Sequence, residues 1–302
     1  MADKIYRVGM LGLDTSHAPG FTQRLNDPKN PEYVPGAKVV AGWPGGSKDF
    51  ELSWSRVDKF TAELRDKFGV VIMDTPEAVA EAVDLVFIEA CDGRVHKDLF
   101  ARVAKFKRPT YIDKPLATSS ADAKEIFRLA DESGVPVMSC STLRYADSLT
   151  RALAEDHGPV IGCDVFGPME LQPTQPGLYW YGIHGIEVMN VIMGRGCKEV
   201  RDVSDPGADL VTATWADGRI ATYRGLRGAH HNFGVTIQRQ KGFQFVDLSK
   251  NERSWYTRML EALLAHLPQG KSPVDPGDTL EIIRLIEAAN DSRHHAGRAV
   301  QL

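Results

Sequence analysis

Three stretches of this 302-residue chain carry side chains suited to chemistry. The first is Tyr111-Ile112-Asp113-Lys114-Pro115-Leu116, an apolar strand pattern that ends on an acid, a lysine and a proline. A lysine placed where a buried strand opens into a loop has its stem held by the fold. Its ammonium then faces the crevice in which open α/β sheets bind ligands. Lys114 is therefore the first candidate for acid–base work, against the plainer role of a lysine that caps a strand and faces water. The second stretch is Gly12-Leu13-Asp14-Thr15-Ser16-His17. It follows the first apolar run, where a dinucleotide-binding chain carries G-x-G-x-x-G into a helix N-terminus that holds the pyrophosphate. Here only the first glycine is present; Asp14 and His17 stand at the second and third positions. A carboxylate beside a phosphate costs about 4 kcal/mol per pair of unit charges at ~4 Å and an effective dielectric of ~20. The sequence thus argues against a dinucleotide in the usual pose, while Asp14 or Ser16 as a simple helix cap needs no ligand. The third stretch is Tyr179-Trp180-Tyr181, whose rings suit either a sugar face or an aromatic core segment.

Other groupings are weaker. The second strand reads Val39-Val40-Ala41-Gly42-Trp43-Pro44, without the acid that usually meets an adenosine ribose. Asp14 with His17, Asp92 with His96, and His184 with Glu187 are each close enough in sequence for one helix face or loop to present both groups to a metal. Caps and solvated acids explain most such pairs, and no metal ligand is assigned. The doublets His230-His231 and His294-His295 point their neighbours in different directions and form no ready chelate. Cys91, Cys140, Cys163 and Cys197 are widely spaced, with no C-x-x-C pair, and read as small buried hydrophobes.

The elements that must position these residues fall into two patterns. Apolar runs at 5–13, 38–42, 84–89, 109–113 and 136–140 suit strands buried on both faces, and helical spacing at 56–68, 96–106 and 121–130 separates several of them. That alternation predicts a parallel, doubly wound sheet. Residues 43–55, with Pro44, Gly45 and Gly46, read as a long loop. Beyond about residue 142 the pattern changes. Strands are expected at 160–167, 200–203, 210–215, 219–226, 233–238 and 243–248, with Asp217-Gly218 as a hairpin turn, and helices at 181–193, 254–267 and 278–294. A mostly antiparallel sheet with helices on one face follows, and its other face is expected to pack on a second subunit.

Composition sets outer limits. With 43% hydrophobic and 25% charged residues the chain has the make-up of a globular protein with one or two cores. A net charge of -4 spread along the chain offers neither a basic patch for nucleic acid nor a polybasic arm for a membrane. Small molecules and other subunits are the expected partners. Met1-Ala2-Asp3-Lys4 runs into a strand with no apolar signal region, so a cytoplasmic location is expected.

Several motifs together resemble the Gfo/Idh/MocA family, typified by glucose-fructose oxidoreductase and inositol dehydrogenase. Val8-Gly9-Met10-Leu11-Gly12 is similar to its first strand, and Asp113-Lys114-Pro115-Leu116-Ala117 to its Glu-Lys-Pro motif with aspartate for glutamate. Gly134-Val135-Pro136-Val137-Met138 with Leu143-Arg144-Tyr145 resembles the passage out of the nucleotide domain. Gly182-Ile183-His184-Gly185-Ile186-Glu187 resembles the Gly-x-His-x-x-Asp helix, and Gly297-Arg298-Ala299-Val300 the tail. The resemblance spans nearly the whole chain. It implies an α/β protein with a Rossmann domain over residues 1–142 and a C-terminal α/β domain over 143–302 with an open, mostly antiparallel sheet. It also implies a nicotinamide cofactor, NAD or NADP, and a sugar, polyol or related hydroxylated substrate.

In such enzymes the lysine and the histidine flank the substrate carbon while hydride moves, and those roles fall on Lys114 and His184, with Glu187 orienting the histidine. Gly12, Leu13, Asp14, Thr15, Ser16, Cys91, Asp92, His96 and Asp113 would surround the cofactor, and Arg144, Trp180 and Tyr181 the substrate. The departures fall in the same places: Trp180 replaces an aspartate four residues before the histidine, and Cys91-Asp92-Gly93 replaces Thr-Pro-Asn. The expected function is an NAD(P)-dependent oxidoreductase. The alternatives are a non-redox lyase or isomerase using Lys114 and His184, with a metal near Asp14 and Asp92, or a non-catalytic ligand-binding member.

Overall fold

The computed structural model describes residues 4–302 and divides into two compact units. The first contains residues 4–117, 121–140 and 256–276. Its elements run β1 (Tyr6–Leu11), α1 (His17–Asn26), β2 (Ala37–Trp43), α2 (Glu51–Phe68), β3 (Val71–Ile72), α3 (Pro76–Ala82), β4 (Leu85–Ile88), α4 (His96–Val103), β5 (Thr110–Ile112), α5 (Ser120–Ser133) and β6 (Val137–Met138). The six strands form one parallel sheet in the order β3-β2-β1-β4-β5-β6. This is the doubly wound arrangement expected from the apolar runs. Its strand order turns back between β1 and β4, and ligands bind such sheets outside the carboxyl ends of the strands at that point.

The reason these residues make this sheet is burial on both faces. All four residues of β4 and all three of β5 are buried, as are the last four of β1. A Cβ at Gly9 would lie 2.4 Å from Val79 Cγ1, so glycine there lets α3 lie directly on β1. α2 differs from expectation. It begins at Glu51 rather than at 56, so the loop after β2 is shorter than the sequence suggests. Phe50 precedes it with no side-chain cap, so the usual start signal is missing.

The second unit contains residues 118–120, 141–255 and 277–302. It comprises α6 (Asp147–Ala154), β7 (Val160–Pro168), α7 (Gly182–Met193), β8 (Cys197–Asp205), β9 (Ala208–Trp215), β10 (Ile220–Leu226), β11 (Gly234–Arg239) and β12 (Gly242–Asp247). α8 (Trp255–His266) then returns the chain to the first unit, and α9 (Pro276–His294) and β13 (Val300–Gln301) complete the second. The seven strands run β12-β11-β7-β10-β9-β8-β13, antiparallel except for the β7–β10 pair. The hairpin turn at Asp217-Gly218 joins β9 to β10, with Gly218 at φ 90°. α7 packs on β7 and β10, and a Cβ at Gly185 would strike the Tyr223 ring at 2.2 Å, so the helix approaches the sheet only because that residue is glycine. The outward face carries Ile220, Phe243 and Phe245 exposed. Among the described residues no helix is long and apolar enough to cross a membrane.

Candidate active site

In the first unit the turn after β1 is set by Gly12. Its φ is 88°, and a Cβ there would meet the Ala90 backbone at 2.5 Å. The glycine is required because the turn presses on the end of β4. The Gly12 and Leu13 N–H groups donate to Trp43 O (3.0 Å) and Pro44 O (2.7 Å), prolonging the β1–β2 ladder into the loop. Asp14, expected to oppose a phosphate, is instead buried at 1% exposure with its carboxylate turned inward. Ser53 Oγ–H donates to Oδ2 at 2.5 Å, Cys91 N–H to Oδ1 at 3.0 Å, and the Cys91 thiol lies 3.4 Å from Oδ2. The expected repulsion is corrected on this point: the charge is spent on the first turn of α2 and the end of β4. Nor does Asp14 cap α1, whose N-cap residue Ser16 makes no side-chain cap bond.

Asp92 is likewise buried at 1%. Arg94 grips it with Nε (2.9 Å) and a terminal nitrogen (2.7 Å) while also bridging to Asp49 (2.9 Å), so the loops after β2 and β4 are tied by one guanidinium. His96, expected near the cofactor, is fully buried at the start of α4. Its two ring nitrogens face Ala90 O (2.7 Å) and Pro115 O (2.8 Å), which makes it a brace between the ends of β4 and β5. The Cys91 thiol is buried, and burial with the neighbouring Asp14 charge pushes its pKa up, away from thiolate chemistry.

Asp113 and Lys114 follow β5. Asp113 Oδ1 accepts the Lys114 N–H (2.8 Å) and the Tyr111 hydroxyl (3.3 Å), and Oδ2 lies 2.7 Å from His17 Nδ1. Burial alone would raise the Asp113 carboxyl, but the His17 ring and Lys114 overrule it and hold it below the usual range. The His17 ring is fixed by stacking on Phe21 at 5.3 Å and by the edge of Tyr256 at 5.0 Å. Burial pulls the Lys114 ammonium down, partly offset by Asp113, in the direction that eases proton transfer near neutral pH.

The second unit assembles the other expected residues. His184, in the first turn of α7, has Nδ1 2.7 Å from Ser141 Oγ, and its ring sits edge-on to Tyr181 and Phe233. Ser141 Oγ also accepts the Leu143 N–H (3.2 Å), which fixes the hydroxyl that meets His184 Nδ1. Glu187 was expected to orient His184; its carboxylate is held by Arg144 Nε at 2.6 Å, one helical turn further on. Burial raises the Glu187 carboxyl, against the pull of Arg144. Arg144 thus serves Glu187. Trp180 and Tyr181 are half-buried, whereas Tyr179 is core, its hydroxyl on Ile283 O at 3.4 Å. Ser141 and Ser53, which organise the two clusters, gave no signal in sequence because each acts across about forty residues of chain.

A parallel sheet with its turn, its lysine and its helix starts at one end defines a nucleotide-binding α/β class. Residues 7–140 match the family described as "Oxidoreductase family, NAD-binding Rossmann fold". These residues thus carry the NAD-binding domain of the Gfo/Idh/MocA oxidoreductases, a class of NAD(P)-dependent enzymes. Three solved structures share the whole fold. Myo-inositol 2-dehydrogenase from Lactobacillus plantarum superposes with a TM-score of 0.81 at 16% identity, over 99% of this chain and 100% of that one. GenD2 from gentamicin A biosynthesis, in complex with NAD, gives 0.81 at 18%, over 99% and 97%. Apo scyllo-inositol dehydrogenase from Lactobacillus casei gives 0.80 at 13%, over 100% and 99%. No curated protein sequence matches the chain.

The residues present fit a dinucleotide. The inward turn of Asp14 removes its charge from the mouth of the crevice, and the backbone of Asp14, Thr15 and Ser16 forms the turn that leads into α1. That turn would hold the pyrophosphate, as helix N-termini do.

Proposed function

We propose that the chain oxidises the carbinol of a sugar, polyol or related hydroxylated small molecule, or reduces the corresponding ketone. The observation that carries this reading is Lys114. It stands at the carboxyl end of a buried strand with its backbone N–H anchored on Asp113 and its ammonium pKa lowered by burial. Lys114 Nζ is assigned the reacting oxygen, which it polarises or deprotonates. His184, held at Nδ1 by the Ser141 hydroxyl, is assigned the transfer of the proton. A bound nicotinamide supplies the hydride acceptor or donor. The inositol dehydrogenases that share the fold support a polyol as substrate class. The half-buried rings of Trp180 and Tyr181 suit the face of such a ring, and the exposed apolar residues on the outward face of the second sheet suit a homo-oligomer.

The test is absorbance at the reduced-nicotinamide band with NAD and NADP against a panel of inositols, sugars and sugar acids. Turnover is expected with at least one polyol. Lys114→Met is expected to lower kcat by about 10²–10⁴ while leaving the circular dichroism spectrum unchanged. Wild-type turnover that survives this substitution would remove Lys114 from the reaction.

A further inference from the structure

At the point where the parallel sheet changes direction, three ligand-type side chains converge from adjacent elements. His17 comes from the start of α1, Glu89 from the residue after β4, and Asp113 from the residue after β5. One ligand atom from each lies within 4.8 Å of the others, and among the described residues this is the group that converges so. We propose that His17, Glu89 and Asp113 form a binding site for one divalent transition-metal ion of the zinc class.

Glu89 is the observation that separates this cluster from a chance gathering of acids. It is fully buried, and among the described residues neither carboxylate oxygen has a hydrogen-bond partner. Ionised, it is an uncompensated charge beside Asp113 and Asp14; protonated, its O–H still lacks an acceptor. Every other acid at this end of the sheet is provided for. Asp14 has Ser53 and Cys91, Asp92 has Arg94, and Asp113 has Tyr111, the Lys114 amide and His17. A dication at the cluster supplies the missing partner of Glu89 and balances two carboxylates at once.

The geometry suits an ion. Ligand atoms about 2.1 Å from a tetrahedral centre stand about 3.4 Å apart, so the three atoms, all within 4.8 Å of one another, reach that spacing by changes of at most about 1.4 Å in each separation. The His17 Nδ1–Asp113 Oδ2 pair opens from 2.7 Å, and the looser contacts close. The supporting groups are already set. Tyr111 and the Lys114 amide fix Asp113 through its other oxygen, Phe21 and Tyr256 fix the imidazole plane, and the Glu89 N–H is bonded to Leu11 O at 2.7 Å. One imidazole nitrogen and two carboxylates form a mixed N/O set that favours zinc, manganese or iron(II) over calcium and magnesium. The cluster differs from the pairs that spacing brought to attention: His96 is taken by two carbonyls and Asp92 by an arginine.

The test uses the full chain without nucleotide, so it stands apart from the redox reading. Protein treated with chelator and dialysed is titrated calorimetrically with zinc, and bound metal is counted by mass spectrometry after gel filtration. One zinc per chain is expected, with Glu89→Gln and His17→Gln each weakening binding about 100-fold or more. Zinc should raise the unfolding temperature of the wild type and leave that of Glu89→Gln unmoved. In chelator the Glu89→Gln protein should unfold no lower than wild type, since an amide then replaces an unpaired acid; this keeps a folding defect apart from a binding defect. Substoichiometric zinc on the wild type, or zinc held equally by both variants, would overturn the assignment and leave a water-filled polar cavity.

Discussion

Replacing Asp14 by alanine tests whether the turn after β1 is built around an inward-facing carboxylate. The change removes the acceptor of the Ser53 hydroxyl, the Cys91 amide and the Cys91 thiol. Ser53 keeps one bond, because its oxygen accepts the Ser47 N–H at 2.7 Å, but its own hydrogen is orphaned at a site with no exposure. The Cys91 amide is orphaned as well. Two buried donors left unsatisfied cost about 1–3 kcal/mol each, reduced by the release of a carboxylate that no longer has to be desolvated. The net expectation is a loss of about 2–4 kcal/mol, a large share of an ordinary domain's stability. It would be read from urea denaturation followed by fluorescence. A second readout is NADH and NADPH affinity by calorimetry, which should change little in the folded variant because the charge never faced the phosphates. Asp14→Ala that leaves stability within about 0.5 kcal/mol, or that binds dinucleotide tenfold more tightly, would refute the inward placement.

Two further perturbations address the second unit. Arg144→Met leaves the Glu187 carboxylate buried without its guanidinium, and an isolated buried charge of this kind costs about 3–5 kcal/mol; adding Glu187→Gln should recover most of that loss in thermal unfolding. Asp202, on β8, is pushed up to about 7 by burial and then by Asp209, against the pull of Arg293 and Arg227. The folded state therefore holds this proton more tightly than the unfolded chain. Stability from this group is present below about pH 4 and is lost as pH rises to about 7, by a ceiling of about 4 kcal/mol. Asp202→Asn should flatten that slope in denaturation midpoints measured between about pH 4.5 and pH 8.

What the sequence disclosed follows from the range over which each signal acts. β1, β4 and β5 are legible because strands buried on both faces read as nearly continuous apolar runs. The two-residue β3 and β13 carry too few residues to show a period. The segment 256–276 packs with the first unit although it lies more than a hundred residues beyond that unit's other segments, and no local pattern announces such a return. The glycine loop is visibly altered in the sequence, yet the direction of Asp14 is not legible there, because that direction depends on Ser53 and Cys91, 39 and 77 residues away. Glu89 is silent in the sequence for the same reason. At the end of an apolar strand it resembles an ordinary terminal acid, and only the pairing of β1, β4 and β5 brings it to His17 and Asp113.

The acids at this end of the first sheet bear on how the fold tolerates a turn so unlike G-x-G-x-x-G. Four carboxylates, Asp14, Glu89, Asp92 and Asp113, are buried at 0–2% exposure around the strand ends. Left charged and unpaired, each would cost several kcal/mol, more together than a domain's net stability. Three are matched by donors of different strength: neutral hydroxyl and amide groups for Asp14, a guanidinium for Asp92, and an imidazole with a backbone amide for Asp113. Two of these contacts also tie separate segments together, α2 to the end of β4 through Asp14, and the β2 loop to the β4 loop through Arg94. Where G-x-G-x-x-G would carry its second and third glycines, the turn thus carries side chains tied into a network of buried polar contacts. In that network Glu89 is the one member for which no described residue supplies a hydrogen-bond partner, and one of its oxygens lies within 4.8 Å of a ligand atom of the same Asp113 that anchors the Lys114 backbone. A ligand taken up at Glu89 would accordingly alter the field at Lys114.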